Sequence, residues 1–254
     1  MNLCKWVTNS PDLRAMWKEN GVELTGVNGH FERQRKYKKK CTKNISPYIT
    51  PFTVRVKCLF QEMWEKGLNW DEPLPTDLAE KWEQWCVELP LLHLVSIPRW
   101  YHTEINKESH TVKLHVYCDA SEKAYGAVAY LQGQNNLGET ITSFVASKSR
   151  VAPLKKMTLP RLELMGALIG ARLGYSLLKP LNMEKNQLNM WTDSMITLHW
   201  IRSSSRRWKP FVSNRVAEIQ GLTNPELWSH CAGKMNPADL LTLGYHGTHF
   251  TVYR

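Results

Sequence analysis

The chain has 254 residues, which is enough to bury a hydrophobic core and to form one or two domains. The chain has 33 lysine and arginine residues against 23 aspartate and glutamate residues, which gives a net charge of +10. This charge favours an anionic partner such as nucleic acid, although a basic soluble protein without such a partner could carry the same charge. The six cysteines lack CxxC spacing and lie in apolar runs, which argues against a disulfide framework and indicates buried thiols in a reducing compartment.

Residues 1–44 carry few structural signals beyond one short helix predicted around Leu13–Trp17. The first ten residues lack the apolar core of a signal peptide, and the longest apolar stretch is too short to span a bilayer. We therefore expect no membrane partner and a location in the cytoplasm or the nucleus. The run RQRKYKKKCTK, from Arg33 to Lys43, predicts a solvated, mobile segment that could be a nucleic-acid contact, a nuclear import signal or an ordinary charged loop.

Two amphipathic helices are predicted in residues 45–110. The first has Thr50 as its N-cap and ends at Gly67; the second begins near Thr76 and is ended by Pro90. We expect an antiparallel pair that forms a small connection region between residues 1–44 and the rest of the chain. The tryptophans expected to pack between the two helices, rather than to stack on bases, are Trp64, Trp82 and Trp85.

Residues 111–244 predict an α/β domain. Two strands of period 2 lie between Leu114 and Leu131, and a third, at Thr140–Ser149, completes an antiparallel meander. The elements predicted after it are a helix from Leu159 to about Lys179, a strand at Leu188–Thr192, helices at Ser194–Ile201 and Phe211–Leu222, a strand at Leu227–Cys231 and a last helix at Asn236–Leu243. The order is that of a five-stranded mixed sheet with helices on both faces. Residues 245–254 show no clear pattern and are taken as a tail.

The long helix carries a stripe of small residues, Gly166, Ala167, Gly170 and Gly174, headed by Glu163. Each interior glycine costs roughly 1 kcal/mol of helix propensity relative to alanine, so close approach of the helix to the sheet is the expected compensation. Glu163 would then be held against the sheet.

Four acids lie where these elements can bring them to one edge of the sheet: Asp119, Glu163, Asp193 and Asp239. Asp119 and Asp193 end strands, although Asp193 could instead cap the helix that follows it. Carboxylates that meet repel one another, which raises their pKa values unless cations compensate. The natural compensation is two Mg²⁺ ions about 3.5–4 Å apart, a pair that can hydrolyse a phosphodiester.

Several motifs resemble one known family. CDASEKAYGAVAYL, SKSRVAPLKKMTLPRLELMGALIGARL, WTDS, WKPFVSNRVAEIQ and NPADL are similar to the ribonuclease H domain of the BEL/Pao class of LTR retrotransposon polyproteins. Residues 45–110 resemble the segment that connects reverse transcriptase to ribonuclease H in that family, and LCKWVTNSP resembles the end of the polymerase part. The resemblance implies a ribonuclease H-like fold for residues 111–244.

The resemblance also implies an activity, the hydrolysis of the RNA strand of an RNA–DNA hybrid. Asp119, Glu163, Asp193 and Asp239 match the family's four metal-binding acids, with Asp119 shared by two Mg²⁺ ions and Mn²⁺ as an alternative ion. Other parts of a retrotransposon polyprotein are expected as partners. The residues assigned to the substrate path are Ser121, Lys148, Arg150, Arg161 and Asn236.

Some features depart from the family pattern and keep other readings open. No YxDD-type polymerase motif is present, and NPADLLTLGYHG replaces the usual polar and basic continuation after the last acid. A catalytically decayed, nucleic-acid-binding remnant is therefore the main alternative. An aspartic peptidase needs Asp-Thr/Ser-Gly loops, and CDAS and TDSM lack that glycine. His230 either assists product release or is simply a strand residue.

Overall fold

The structure is a computed structural model that describes residues 49–69, 72–94 and 112–243. The predicted helix at 13–17, the basic run at 33–43, the boundary near residue 110 and the tail at 245–254 lie outside these ranges. The strands are β1 (Lys113–Ala120), β2 (Ala124–Gln134), β3 (Thr140–Val151), β4 (Leu188–Thr192) and β5 (Trp228–His230). The α-helices are α1 (Thr50–Glu65), α2 (Thr76–Glu88), α3 (Leu159–Leu178), α4 (Met195–Arg202), α5 (Pro210–Leu222) and α6 (Leu240–Leu243).

The five strands form one mixed sheet in the order β3-β2-β1-β4-β5. The first three strands pair antiparallel as the predicted meander, with the β2–β3 turn at Gly138 (φ +79°). β4 pairs with β1, and β5 with β4, both in parallel, so each needs a helical crossover. The predicted five-stranded mixed sheet is therefore confirmed.

The main core lies between the sheet and three helices, α3, α4 and α5. The alternating residues Leu114, Val116 and Cys118 of β1 face this core and are at most 1 % exposed. The glycines of α3 allow the close approach that their spacing predicts, because a Cβ at Gly170 would lie 2.1 Å from the Sγ of Cys118. A side chain at this helix position has no room.

The opposite face of the sheet carries a smaller cluster. Val128 packs there with Ala238 and Leu241, and the rings of Tyr117 and Tyr130 border them. Helix α1 lies against β3 and α6, and the Nε2 of Gln61 in α1 donates a hydrogen bond of 2.7 Å to a main-chain oxygen at the end of β3. Helices thus cover both faces, as predicted, and α1 is in direct contact with the sheet domain.

The helical pair α1–α2 differs from the prediction in two details. Thr50 is the first residue of α1 and makes no side-chain cap, because Ile49 occupies the N-cap position. Trp82 and Trp85 pack between the helices, with Trp85 stacked on Phe52, but Trp64 is 59 % exposed. The prediction that Trp64 packs between the helices is wrong, because most of its surface is exposed and the cluster between α1 and α2 does not include it.

Helix and strand ends also differ slightly from the prediction. The N-cap of α4 is Ser194, whose hydroxyl accepts a hydrogen bond from the main-chain N–H of Thr197, so the alternative in which Asp193 caps the helix is wrong. The last predicted helix begins instead as a 3₁₀ turn at Pro237–Asp239, with Asn236 as its side-chain cap, and continues as α6.

Four cysteines lie in the described part of the chain, and all four are free thiols. Only Cys118 is fully buried; Cys58, Cys86 and Cys231 are half-buried, so the expectation of buried thiols holds for one of the four. Among the described helices, none combines the length and the apolar character needed to cross a bilayer.

Candidate active site

The sheet register places two of the predicted acids side by side. β1 and β4 run parallel and their last paired residues are Cys118 and Thr192, so Asp119 and Asp193 each follow that pair by one residue. The carboxyl ends of parallel strands meet at the same edge of a sheet, which is where ligands bind in open α/β sheets. Asp119 is only 8 % exposed.

Glu163 reaches this edge because α3 contacts the main chain of β1. Gly166, one helical turn after Glu163, is so close to β1 that an added Cβ would lie 2.7 Å from the main-chain oxygen of Asp119. Glu163 accepts a hydrogen bond from the hydroxyl of Ser194, the residue that caps α4. A single serine thus connects Glu163 to the segment that carries Asp193.

Asp239 lies on the 3₁₀ turn between β5 and α6, and this turn is fastened to β1. The Nδ2 of Asn236 donates a hydrogen bond of 3.0 Å to the main-chain oxygen of Cys118. Thr242, on α6, donates a hydrogen bond to the Oδ2 of Asp119. The last acid is therefore held beside the first by contacts that span more than a hundred residues of sequence.

The electrostatics of the four acids have Asp193 at their centre. Burial is the main reason that the pKa values of Asp119, Glu163 and Asp239 are all raised, and the negative charge of Asp193 raises each of them further. The pKa of Asp119 rises from its ordinary 3.8 to about 6, against the hydrogen bond from Thr242, which lowers it. Asp193 is thus the common neighbour of the other three carboxylates. We call the four residues together, Asp119, Glu163, Asp193 and Asp239, the acid cluster.

The donor set of the acid cluster fits a hard divalent cation in kind. Its ligand atoms are carboxylate oxygens, which Mg²⁺ prefers, and burial together with mutual repulsion makes a cation favourable there. Within residues 49–69, 72–94 and 112–243, no group of three or more His, Cys, Asp or Glu side chains is arranged closely enough to hold a metal ion. The hydroxyls of Thr242 and Ser194 instead occupy one oxygen each of Asp119 and Glu163.

The residues predicted for the substrate path fall into two groups. Lys148 and Arg150 are exposed on the edge strand β3, and Arg161 is exposed with its guanidinium 5.0 Å from the ring centre of Phe211. Ser121 and Asn236 instead make hydrogen bonds within the fold.

The hydroxyl of Ser121 donates a hydrogen bond of 3.0 Å to the main-chain oxygen of Thr242 and accepts hydrogen bonds from the β1–β2 turn. Asn236 is 4 % exposed, and both ends of its amide make intrachain hydrogen bonds. Both residues thus hold the elements around the site together, and their contact with a substrate stays a prediction, as it does for the exposed cations.

Two residues at the site, Ser194 and Thr242, were not singled out from the sequence. Ser194 could have been found, because a serine directly before an amphipathic helix is a standard N-cap. Thr242 gives no sequence signal, because its contact with Asp119 joins positions 123 residues apart. His230 was left open; its Nε2 lies 3.1 Å from the main-chain oxygen of Asp193.

The sheet is mixed, and acids lie at the ends of the parallel strands β1 and β4 and on the helix α3 between them. This arrangement defines an α/β domain of the ribonuclease H-like class. The family comparison agrees: residues 45–194 match the model of the Pao retrotransposon-like RNaseH-like domain. The match covers more than half of the chain, and the chain belongs to this family. It also crosses the boundary predicted near residue 110, and α1, upstream of that boundary, contacts the sheet domain.

Solved structures similar to the chain include the N-terminal RNase H domain of a Mycobacterium tuberculosis protein, with 17 % identity and a TM-score of 0.34 over 52 % of this chain and 91 % of that one. RNase H1 from Halobacterium salinarum has 13 % identity and a TM-score of 0.31, with 51 % and 92 % covered. LC11-RNase H1, solved in complex with an RNA/DNA hybrid, has 11 % identity and a TM-score of 0.33, with 54 % and 97 % covered. No curated protein matches the chain.

Proposed function

We propose that this chain is a retrotransposon ribonuclease H that uses divalent metal ions to hydrolyse the RNA strand of RNA–DNA hybrids. The observation that supports the proposal most is the acid cluster, in which Asp193 lies within electrostatic reach of Asp119, Glu163 and Asp239. Repulsion among buried carboxylates destabilises a fold. The presence of the acid cluster at the ends of two parallel strands therefore points to a function.

Asp119, Glu163, Asp193 and Asp239 would hold the ions, and two Mg²⁺ ions at such a site supply an activated water and stabilise the leaving oxygen. The chain's own contribution is the position and charge of these carboxylates. Thr242 and Ser194 orient Asp119 and Glu163 through hydrogen bonds. Because the pKa of Asp119 is about 6, the cluster without ions is fully charged only above that pH.

Exposed cations on β3 and in the first turn of α3 suit a nucleic-acid substrate. Lys148, Arg150 and Arg161 can each approach a phosphate, and the chain's net charge of +10 assists non-specific attraction to the backbone. An enzyme of this kind distinguishes RNA from DNA by the 2′-hydroxyl, which is displayed in the wide, shallow minor groove. Binding should therefore weaken as the salt concentration rises.

The test is cleavage of a labelled RNA–DNA hybrid by the purified chain in Mg²⁺, compared with Asp119→Asn. Glu226→Gln is a matched control, because Glu226 is an exposed acid that takes no part in the cluster. We expect cleavage by the wild type and by Glu226→Gln, and a loss of at least about a hundredfold in Asp119→Asn. Equal cleavage by all three proteins would point to a contaminating nuclease.

One observation favours the second reading, a catalytically decayed remnant that still binds nucleic acid. Thr242 and Ser194 satisfy one oxygen each of Asp119 and Glu163 with hydroxyl donors, so these carboxylates are partly compensated without a cation. A decayed protein would bind the hybrid with a marked salt dependence and leave it uncut in both Mg²⁺ and Mn²⁺.

A further inference from the structure

One part of the sheet carries a group of aromatic rings on the face opposite to α3, α4 and α5. His115 and Tyr117 alternate along β1 with Leu114 and Val116, which face the main core, so the two rings lie on the other face. Trp191 of β4 is paired in register with Tyr117 and lies on the same face. All three rings are half-buried. We call His115, Tyr117 and Trp191 the aromatic tile.

The three rings of the aromatic tile are nearly parallel. Their planes differ by 13–20°, and their centres lie 5.9–6.5 Å apart. The Nε1 of Trp191 donates a hydrogen bond of 3.0 Å to the Nδ1 of His115. Such a bond runs along the planes of both rings, because the N–H and the accepting lone pair lie in those planes. The indole and the imidazole therefore lie edge to edge and form one flat surface, which Tyr117 extends along β1.

An upright ring borders this flat surface. Tyr130 of β2 stands at 76° to the ring of Tyr117, with 6.2 Å between the two ring centres. Tyr130 packs against the cluster that contains Val128, Ala238 and Leu241, so α6 helps to hold the upright ring in place. A flat floor with one wall fits a planar ligand, because aromatic rings attract one another in offset-stacked and edge-to-face arrangements.

Polar side chains lie beside the aromatic tile on the same face of the sheet. Asn189 is paired in register with His115, and its buried Nδ2 is a hydrogen-bond donor without a partner in the described part of the chain. Ser229 of β5 is paired in register with Trp191. Amide and hydroxyl groups next to aromatic rings suit a planar ligand whose edges carry hydrogen-bonding groups, as those of a nucleobase do.

The charge at the start of β1 is positive. Lys113 is exposed and lies two residues before His115 on the same face of the strand. Burial lowers the pKa of His115, and the ammonium group of Lys113 lowers it further, so this cation is within electrostatic reach of the aromatic tile. The chain as a whole carries a net charge of +10. The charge therefore favours a planar, polar ligand that also carries negative charge, which is the chemistry of a nucleotide.

We propose that the aromatic tile binds unpaired bases of a single-stranded nucleic acid and that Lys113 contacts the backbone of that strand. Other nucleic-acid-binding sheets hold single strands by stacking two or three bases on aromatic side chains. The bases of an RNA–DNA hybrid are already stacked within the duplex, so the hybrid would not occupy the tile. The backbone belongs at the Lys113 end, because the carboxylate of Asp119, two residues after Tyr117, repels phosphates.

Binding is measured by the fluorescence anisotropy of a labelled deoxythymidine oligomer added to the full chain in EDTA. The matched ligand is an oligomer of the same length whose sugars carry no bases, because it has the same phosphates. We expect the wild type to bind the oligomer with bases at least about fivefold more tightly, the low end of what one stacked base contributes. Single strands in EDTA are outside the proposed nuclease reaction, so a failure of that function leaves this result unaffected.

Two substitutions in the tile should remove much of this preference for bases. Trp191→Leu and Tyr117→Leu should each lower the ratio of the two affinities about threefold or more and leave the affinity for the oligomer without bases unchanged. Tyr175→Leu is the matched control, because Tyr175 is an exposed ring on α3 that lies beside a cation, Lys185, and outside the tile. A ratio near one in the wild type, or an equal loss in Tyr175→Leu, would overturn the proposal.

A second measurement uses the wild type alone and so stays valid where a substitution prevents folding. The chain is irradiated with an oligomer that carries 5-iodouracil, which forms covalent links to aromatic side chains stacked on it, and the linked residue is identified by mass spectrometry. We expect links to Trp191, Tyr117 or His115. Links confined to rings outside the tile would overturn the proposal. So would a dimer without base preference that Trp191→Leu dissociates, because the tile would then be an interface between two copies of the chain.

Discussion

Asp119→Asn should stabilise the protein at neutral pH when no divalent cation is present. Asp119 is 8 % exposed, and burial is the main reason that its pKa is raised, with further contributions from Asp193 and Asp239. Asparagine has nearly the same shape, carries no charge and can still accept the hydrogen bond from Thr242. The substitution removes a repulsive charge without opening a cavity.

The magnitude follows from the linkage between protonation and folding. The pKa of Asp119 is about 6 in the fold against an ordinary 3.8, so the fold binds this proton more tightly than the unfolded chain does. This contribution to stability is fully present below pH 3.8 and is lost as the pH rises through 6, which corresponds to about 3 kcal/mol at pH 7. For a chain of this size that is a rise in Tm of about 6–12 °C for Asp119→Asn.

The assay is thermal and urea unfolding of both proteins in EDTA at pH 4 and pH 7. At pH 7 the variant should be more stable by the amount above, whereas at pH 4 the two proteins should differ little. Added Mg²⁺ should raise the Tm of the wild type more than that of the variant, because the ion relieves the same repulsion. A variant that is equally or less stable than the wild type at pH 7 would refute the electrostatic account of the cluster.

Thr242→Val tests the same account in the opposite direction. The hydroxyl of Thr242 lowers the pKa of Asp119, so its removal should raise that pKa and move the acid limb of the cleavage profile to higher pH. An acid limb that stays at the same pH or moves to a lower pH would contradict this role of Thr242.

Two further predictions concern stability. Gly170→Ala should lower the unfolding free energy by about 1–3 kcal/mol, because its Cβ would lie 2.1 Å from the Sγ of Cys118. Gly221→Ala in α5 is the control: its Cβ would meet nothing within 4 Å, so it should raise the unfolding free energy by about 0.5–1 kcal/mol. Equal effects of the two substitutions in urea unfolding would contradict the close contact between α3 and the sheet. Arg55→Met should lower the unfolding free energy by about 3 kcal/mol, because it removes the guanidinium that pairs with the buried Glu88. The double variant with Glu88→Leu should recover part of that loss, and a double-mutant cycle measures the coupling between the two residues.

The sequence identified the elements because their signals are local. Alternation in Leu114–Leu131 and the helical spacing from Leu159 onward depend on neighbouring residues, and the structure has strands and a helix there. The glycine stripe of α3 likewise predicted close contact with the sheet, since a missing side chain is visible in the sequence itself. Within the described residues, the errors lie at element ends and in single side chains such as Trp64, whose burial depends on how two helices pack.

The positions of the acids on their elements could be predicted from the sequence, because the end of a strand and the start of a helix have local signals. The residues that surround the acids could not be predicted. Thr242 contacts Asp119, and Asn236 fixes the last turn to β1, only because the chain returns to its first strand after more than a hundred residues. The hydrogen bond from Gln61 to the main chain at Ala152 likewise exists only because α1, which precedes the sheet in sequence, packs against it. Periodicity and spacing describe neighbours along the chain, whereas burial, pKa shifts and cavities depend on neighbours in space, which the tertiary structure alone decides.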